Sequence, residues 1–261
     1  MSRVLVTGAA GGLGAALADA FDARGDRVLR TDLSGADLVL DVTSEDDWAA
    51  AREHVISTWG GLDVLVNNAG VAGGGRLDIA GIDEWRWITE INLFGVVRGI
   101  STFTPVFKNQ HAADPDWSGA IVNVASLAGV VHPAGMASYN AVKAAVVALT
   151  ETSGHELAEF GVHAMAVCPS YFRTGLIERM QGRDAAVGEI IGRLVASSPV
   201  GPADIAAEVL ASLERGEELC LPDEAARSAY ALKQDDRTAY DAVMRKQAAR
   251  LNQMVTPEGE G

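Results

Sequence analysis

The sequence is poor in cysteine, aromatic residues and positive charge, and it has no long apolar run. Cys168 and Cys220 are its two cysteines, so neither a disulfide framework nor a cysteine-based zinc site is expected. His54, His111, His155 and His163 have no metal-ligand spacing. No stretch reaches the roughly 18 uninterrupted apolar residues that a membrane-spanning helix needs. The opening residues Met1-Ser2-Arg3-Val4-Leu5-Val6 enter a strand-like run at once, without the apolar segment and cleavage site of a signal peptide. A cytoplasmic protein is therefore the expectation. Lysine and arginine number 21 against 35 aspartates and glutamates, a formal charge of −14. Nucleic acid and anionic membrane are excluded as expected partners, because both need clustered cations to displace counterions.

What is present is an ordinary globular composition. Of 261 residues, 48% are hydrophobic and 21% charged, enough to bury a large core rather than remain disordered. Apolar runs at residues 4–7, 27–31, 38–40, 64–67, 120–124, 162–167 and 219–221 are continuous rather than alternating, as in strands buried on both faces of a parallel sheet. Helical patterns lie between them at residues 12–24, 45–58, 83–108, 138–160 and 203–214, with Ser44 and Asp83 expected as N-caps. This alternation predicts an α/β fold, a doubly wound and mainly parallel seven-stranded sheet with helices on both faces. Between the second and third strands lie only residues 33–37, which span at most ~17 Å. No crossover helix fits there. One domain is expected over residues 1–256, with 175–200 as a mobile substrate loop and 223–256 as a C-terminal helical extension. Residues 257–261 are expected to be a disordered tail. In the extension Tyr240, Val243, Gln247, Leu251 and Met254 step by three or four, so that helix either lids a site or packs on another subunit.

Thr7-Gly8-Ala9-Ala10-Gly11-Gly12-Leu13-Gly14 follows the first strand and opens the first helix. Glycines there allow a tight turn and close backbone approach to a pyrophosphate seated at a helix N-terminus. Asp32 ends the second strand, 18 residues after Gly14, where a carboxylate accepts hydrogen bonds from adenosine ribose hydroxyls and repels a 2′-phosphate. Neither Ala10 nor Leu33 is basic, and Arg30 is expected to point elsewhere. NAD is the cofactor expected; the plainer reading of Asp32 is a turn initiator before Ser34-Gly35.

Tyr139 and Lys143 are four apart on a helical pattern and share a face. A free phenol titrates near 10, too high for an efficient proton shuttle, and a neighbouring cation favours the phenolate. Alone, such a pair is an ordinary solvated contact. Ser126, 13 residues upstream of Tyr139, closes a buried strand, and strand C-terminal ends are where open α/β sheets bind ligands. Ser126 can then bond a substrate oxygen, or else cap a turn.

With these motifs the chain resembles the short-chain dehydrogenases/reductases of the short, single-domain branch, from about Arg3 to Leu221. The likeness rests on Thr7-Gly8 with Gly12-Leu13-Gly14, Asp41-Val42, Asn67-Asn68-Ala69-Gly70, Asn92, Ser126, Tyr139 with Lys143, and Pro169 with Thr174. It implies a Rossmann fold and a role for each position. Tyr139 would be the general acid/base, and Ser126 would orient the carbonyl or hydroxyl oxygen. Lys143 would lower the tyrosine pKa and hold the nicotinamide ribose, and Asn92 would hold the water of a proton relay. Asp41 and Val42 would contact adenine, Asn67 to Gly70 would flank the adenosine, and Thr174 would reach the carboxamide beside Pro169. Two departures stand out. The family's Pro-Gly is here Pro169-Ser170, and nothing general in the family matches the region after Leu221.

The expected pocket is lined by residues 127–136, by Tyr171-Phe172-Arg173 and by residues 176–195. Val130, Val131, Pro133, Met136, Phe172, Leu176, Ile177 and Met180 make it mostly apolar, which favours a hydrophobic, medium-sized alcohol or ketone. Arg173 is read first as an exposed or ion-paired side chain, with a substrate carboxylate as the alternative. His132 is read as a loop histidine, Cys168 as a packed small residue, and Trp85, Trp87 and Phe94 as a packing stripe. By the same resemblance the two long helices form a subunit contact, giving a homodimer or homotetramer. The function expected is an NAD(H)-dependent oxidoreductase interconverting a secondary alcohol and a ketone. The alternatives are a non-catalytic dinucleotide-binding regulatory protein, and a lyase or isomerase using the same site.

Overall fold

The computed structural model describes residues 1–174 and 184–254. Seven strands form one sheet: β1 (Arg3–Thr7), β2 (Arg27–Asp32), β3 (Leu38–Val39), β4 (Val64–Asn67), β5 (Gly119–Val124), β6 (Val162–Val167) and β7 (Leu219–Cys220). Their order is β3-β2-β1-β4-β5-β6-β7 and every pairing is parallel. Leu5 pairs with Leu29 on one side and Leu65 on the other.

Alternation along each strand sends side chains to opposite layers. Val4, Val6, Val64 and Val66 pack against Leu13, Leu17 and Phe21 of α1 (Gly12–Ala23) and against Ile205 and Val209 of α8 (Pro202–Glu214). Leu5, Leu65 and Ile121 meet Trp48 and Val55 of α2 (Glu45–Trp59) and Phe103 and Phe107 of α4 (Gly95–Ala113). Each fully buried side chain of this size contributes about 1.5–3 kcal/mol, and both faces of the central strands are covered.

The remaining helices are α3 (Ile82–Thr89), α5 (Ala128–Val131), α6 (Ala137–Leu157), α7 (Ala185–Ser197), α9 (Glu224–Asp235) and α10 (Arg237–Gln253). Ser44 caps α2, its hydroxyl accepting from the Asp47 N–H at 3.1 Å. Asp83 does not cap α3: Gly81 holds that position, and Asp83 lies exposed in the first turn beside Arg86. There its charge suits the helix dipole. The single helix expected over residues 83–108 is broken by a π-helical turn, Glu90–Phe94, between α3 and α4. The mobile excursion expected over residues 175–200 contains a regular helix, α7. Asp184 caps it, and Val187 and Ile191, four apart, bury its inner face. Within the helical extension expected over residues 223–256, α10 starts at Arg237, because Asp236 accepts from the Ala239 N–H and caps it. The short β2–β3 connection pairs both strands in parallel with no helix between them.

The chain runs outward from β1 to β2 and β3, then returns to place β4 on the other flank of β1. That reversal opens a crevice beyond the strand C-terminal ends, where open α/β sheets bind ligands.

Candidate active site

Thr7 ends β1 inside this crevice. Its hydroxyl oxygen accepts from the Asn68 and Ala69 N–H groups at 2.9 and 3.0 Å. The Asn68 amide in turn donates to the Thr7 and Gly8 carbonyls at 2.8 and 3.2 Å. The β1 loop is thereby stapled to the end of β4. Gly8, at φ +66°, has no room for a side chain, since a Cβ would lie 2.8 Å from the Ala69 Cα. Gly14 is tighter still, its absent Cβ falling 2.1 Å from the Gly8 carbonyl oxygen. Backbone N–H groups at the start of α1 are left facing the cleft, a cradle suited to a pyrophosphate. Asp32 closes the outer side, its carboxylate accepting from the Ala10 N–H at 3.0 Å and from the Leu33 N–H at 2.7 Å. Arg30 points away and pairs with Asp19 and Asp22 on α1. Asp41 and Val42 line the same end of the cleft, and the Asp41 carboxylate also accepts from the Thr43 N–H and hydroxyl. These residues fit the phosphates and adenosine of a dinucleotide.

Asn67 does not face the cleft. It is buried, and its amide donates to the Asn123 side chain at 2.8 Å across the sheet. Asn68, Ala69 and Gly70 do line it. Asn92 sits in the π-helical turn, 1% exposed. Its Oδ1 accepts from the Val71 N–H at 2.8 Å and its amide donates to the Val71 carbonyl at 2.9 Å. A single side chain thus clamps the loop segment after Gly70, and a π-turn is a common means of aiming one residue inward.

Tyr139 and Lys143 occupy the first turns of α6. The ammonium lies 5.7 Å from the phenol ring centre and donates to the Val124 carbonyl at 2.8 Å. Ser126 hydrogen-bonds Tyr139, and its oxygen also accepts from the Ala128 N–H at 3.2 Å. The start of α6 is fixed by Ser138, which donates to Glu84 of α3 at 2.9 Å. Burial governs the titration of the pair. It pushes the phenol up to about 12, against the Ser126 bond, which favours the phenolate. It also pushes the Lys143 ammonium down to about 8. Desolvation disfavours both charged forms and works against the lysine-depressed phenol expected from the sequence. At neutral pH Tyr139 holds its proton.

One cleft of about 1760 Å³ joins the glycine loop, Asp32, Asn68, Ser126, Tyr139, Lys143, Pro169 and Thr174. Thr174 stands across from the glycine loop, its hydroxyl 3.5 Å from where a Gly12 Cβ would be. Val131, Pro133, Met136, Tyr171 and Phe172 line the inner end, while Val130 packs beneath it. Leu176, Ile177 and Met180 lie outside the described residues, as do residues 257–261. Arg173 does not line the cleft; its guanidinium donates to the Ser198 carbonyl at 2.7 Å. Trp87 does line it, and Phe94 is half-exposed, so the aromatic stripe does not pack as a unit. His132 caps α5 at φ 59°, outside the cleft lining, and Cys168 is a buried free thiol.

The extension flanks the cleft. Tyr240, Val243, Gln247, Leu251 and Met254 all border the cleft, so the stripe read in the sequence faces the ligand space. Ser170, which replaces the family's glycine, donates through its hydroxyl and its N–H to Asp223. Asp223 also caps α9. The unexpected serine thus ties the loop after β6 to the first residue of the extension. Arg76, which the sequence did not single out, pairs with buried Asp184 at 2.7 Å and donates to the Leu251 carbonyl at 3.0 Å. No sequence motif marks it, because Asp184 and Leu251 lie far from Arg76 along the chain.

The short chain dehydrogenase family matches residues 2–184. The trans-4-hydroxycyclohexanecarboxylate dehydrogenase of Sinomonas cyclohexanicum is 34% identical over 217 residues, covering 71% of this chain and 81% of the relative. A Burkholderia phymatum short chain dehydrogenase/reductase solved with NAD superposes at TM-score 0.82 and 26% identity, over 91% of this chain and 94% of that one. A Burkholderia cenocepacia short chain dehydrogenase solved with NADP gives 0.77 at 28% identity, over 93% and 97%.

Proposed function

The chain belongs to the short-chain dehydrogenase/reductase family, and from that premise we propose that it interconverts a secondary alcohol and a ketone with NAD(H). The observation that carries this reading is the meeting of Tyr139, Ser126 and Lys143 in the cleft that also holds the glycine loop and Asp32. The family's cofactor is a nicotinamide dinucleotide, and solved neighbours hold either NAD or NADP. The choice of NAD rests on Asp32, whose carboxylate stands beside the Ala10 N–H with no cation supplied by Ala10 or Leu33. A 2′-phosphate there would meet like charge.

Gly8, Gly12, Leu13 and Gly14 would hold the pyrophosphate, and Asp32 the adenosine ribose. Asp41, Val42, Asn68, Ala69 and Gly70 would flank the base, with Lys143, Pro169 and Thr174 around the nicotinamide end. When bound, the cofactor gives or accepts the hydride. In ketone reduction Tyr139 Oη hands its proton to the substrate oxygen, and in alcohol oxidation it takes that proton back. Ser126 bonds the same oxygen and fixes its orientation. Lys143, buried beside the ring, presents an ammonium that favours the phenolate once the proton has left. Asn92 positions the backbone at Val71 that borders the cleft.

The substrate end, with Val131, Met136, Phe172 and Leu251, suits a hydrophobic, medium-sized alcohol or ketone. A cytoplasmic homodimer or homotetramer is part of the proposal. Light scattering on the purified protein tests the assembly. Replacing Tyr139→Phe should lower kcat by at least about 10²-fold while NADH binding changes little. Full turnover in that variant refutes the mechanism, and tighter binding of NADP than NAD refutes the role given to Asp32.

A further inference from the structure

Charge is distributed unevenly around the cleft. Asp32 and Asp41 border its adenosine end. Away from them, Lys246 and Arg250 of α10 and Arg193 of α7 also line the cleft, α10 packing against Gly135 and Met136, while Arg86 and Glu90 line it with their partners Asp83 and Arg98. This occurs in a chain of formal charge −14. Helix α10 carries Arg237, Arg245, Lys246 and Arg250 against a single carboxylate, Asp241, which Arg237 engages at 2.8 Å. Arg193 has Glu189 at 3.1 Å. Among the described residues neither Lys246 nor Arg250 has a carboxylate within ion-pair distance. They stand four apart on one helix face, on the edge of the stripe that closes the cleft.

Resting on the oxidoreductase reading, we propose that Lys246 and Arg250 recognise an anionic group on the substrate, at the end remote from the reacting carbon. Tyr139 packs in one apolar cluster with Met136, Ile191 and Leu251, and Leu251 adjoins Arg250 on α10, so the ligand has an alcohol or ketone, an apolar body and a terminal anion. The anion is either the carboxylate of a free acid or the phosphates of a thioester carrier. Both offer oxygens to an exposed guanidinium and ammonium that stand one helical turn apart, so one anion can engage both through charge-assisted hydrogen bonds.

Binding is read from tryptophan fluorescence, since Trp87 lines the cleft. Ligands are hydroxy acids from 3-hydroxybutyrate to 12-hydroxystearate, their uncharged methyl esters, and acetoacetyl-coenzyme A, tested on the wild type and on the Lys246→Gln/Arg250→Gln double variant. At the chain length that spans the cleft, the acid should bind about tenfold tighter than its ester. In the double variant the two should bind alike, with ester affinity unchanged. A preference for the thioester, lost in the same variant, also supports the proposal and identifies the carrier as the anion's source. Equal affinity of acids and esters at every length, with no thioester preference, overturns it, as does an anion preference that survives in the double variant. Anion-selective binding with neither NADH formation from any hydroxy compound nor NADH consumption by acetoacetyl-coenzyme A would refute the oxidoreductase reading and leave the anion site standing.

Discussion

At the scale of single residues, Tyr139 and Lys143 show how depth competes with charge. Both are nine-tenths buried or more, and burial pushes the phenol up to about 12 and the ammonium down to about 8. Each shift favours the neutral form; at neutral pH the phenol keeps its proton while Lys143 stays largely charged, so the resting phenol is an acid ready for ketone reduction. A phenol raised in the fold adds stability that is fully present below its unfolded value of 10.0 and disappears as pH climbs through about 12. The check is a phenolate absorbance titration of wild type minus Tyr139→Phe. The difference signal should still be small at pH 10.5, where an exposed tyrosine is more than half ionised (about 10). A difference midpoint below pH 9 would mean that the lysine charge outweighs burial. The residues themselves were legible beforehand, because Tyr139, Lys143, Ser126 and the glycine loop are recognised by order and spacing. Their protonation was not, since sequence spacing reports which face a group occupies and not how far water is excluded.

At the scale of elements, the π-helical turn Glu90–Phe94 was invisible in the sequence for a definite reason. The apolar periodicity of α3 runs on into α4, and a π-turn inserts its extra residue without a proline or glycine signal of its own. What the turn achieves is the inward aim of Asn92, which satisfies both backbone groups of Val71. Asn92→Ala leaves that half-buried donor and acceptor without their side-chain partner, and such orphans cost up to about 1–3 kcal/mol each. Urea unfolding should show a loss of about 2 kcal/mol or more, and the variant should also bind NADH more weakly through the displaced Gly70–Val71 backbone. A variant as stable as wild type would show that the clamp is dispensable. Helix α7 was missed for the opposite reason. Glycines drew the eye toward mobility, yet Gly192 stands in open space, while the Asp184 cap and the Val187–Ile191 face carry the helix.

At the scale of the whole molecule, the C-terminal extension is the part that departs from the family pattern, and it is held to the catalytic layer through the carbonyls of one loop. Lys233 donates to the Val130 carbonyl and Tyr240 to that of Val131, while Gln247 reaches Ala134 at 3.4 Å. His132 sits inside this strap. Its Nε2 bonds the Gly129 carbonyl at 3.1 Å and its Nδ1 lies 2.8 Å from the Lys233 ammonium. That geometry fits a neutral imidazole donating at Nε2 and accepting at Nδ1. Burial lowers its pKa below 6.5, and the Lys233 and Arg237 charges lower it further, while the Gly129 bond acts the other way. The fold therefore binds fewer protons than the unfolded chain in the window just below 6.5, and stability falls as pH drops through that window. Protonation would also set His132 against Lys233, loosening a contact between α9 and the loop that leads to Tyr139. His132→Asn tests this without disturbing the backbone, because asparagine tolerates the positive φ of 59° at this position. Between about pH 7.5 and pH 5.5, thermal unfolding of the wild type should lose more of its midpoint than that of the asparagine variant. Parallel curves for the two proteins would place the acid sensitivity in other groups and leave His132 as a helix cap alone.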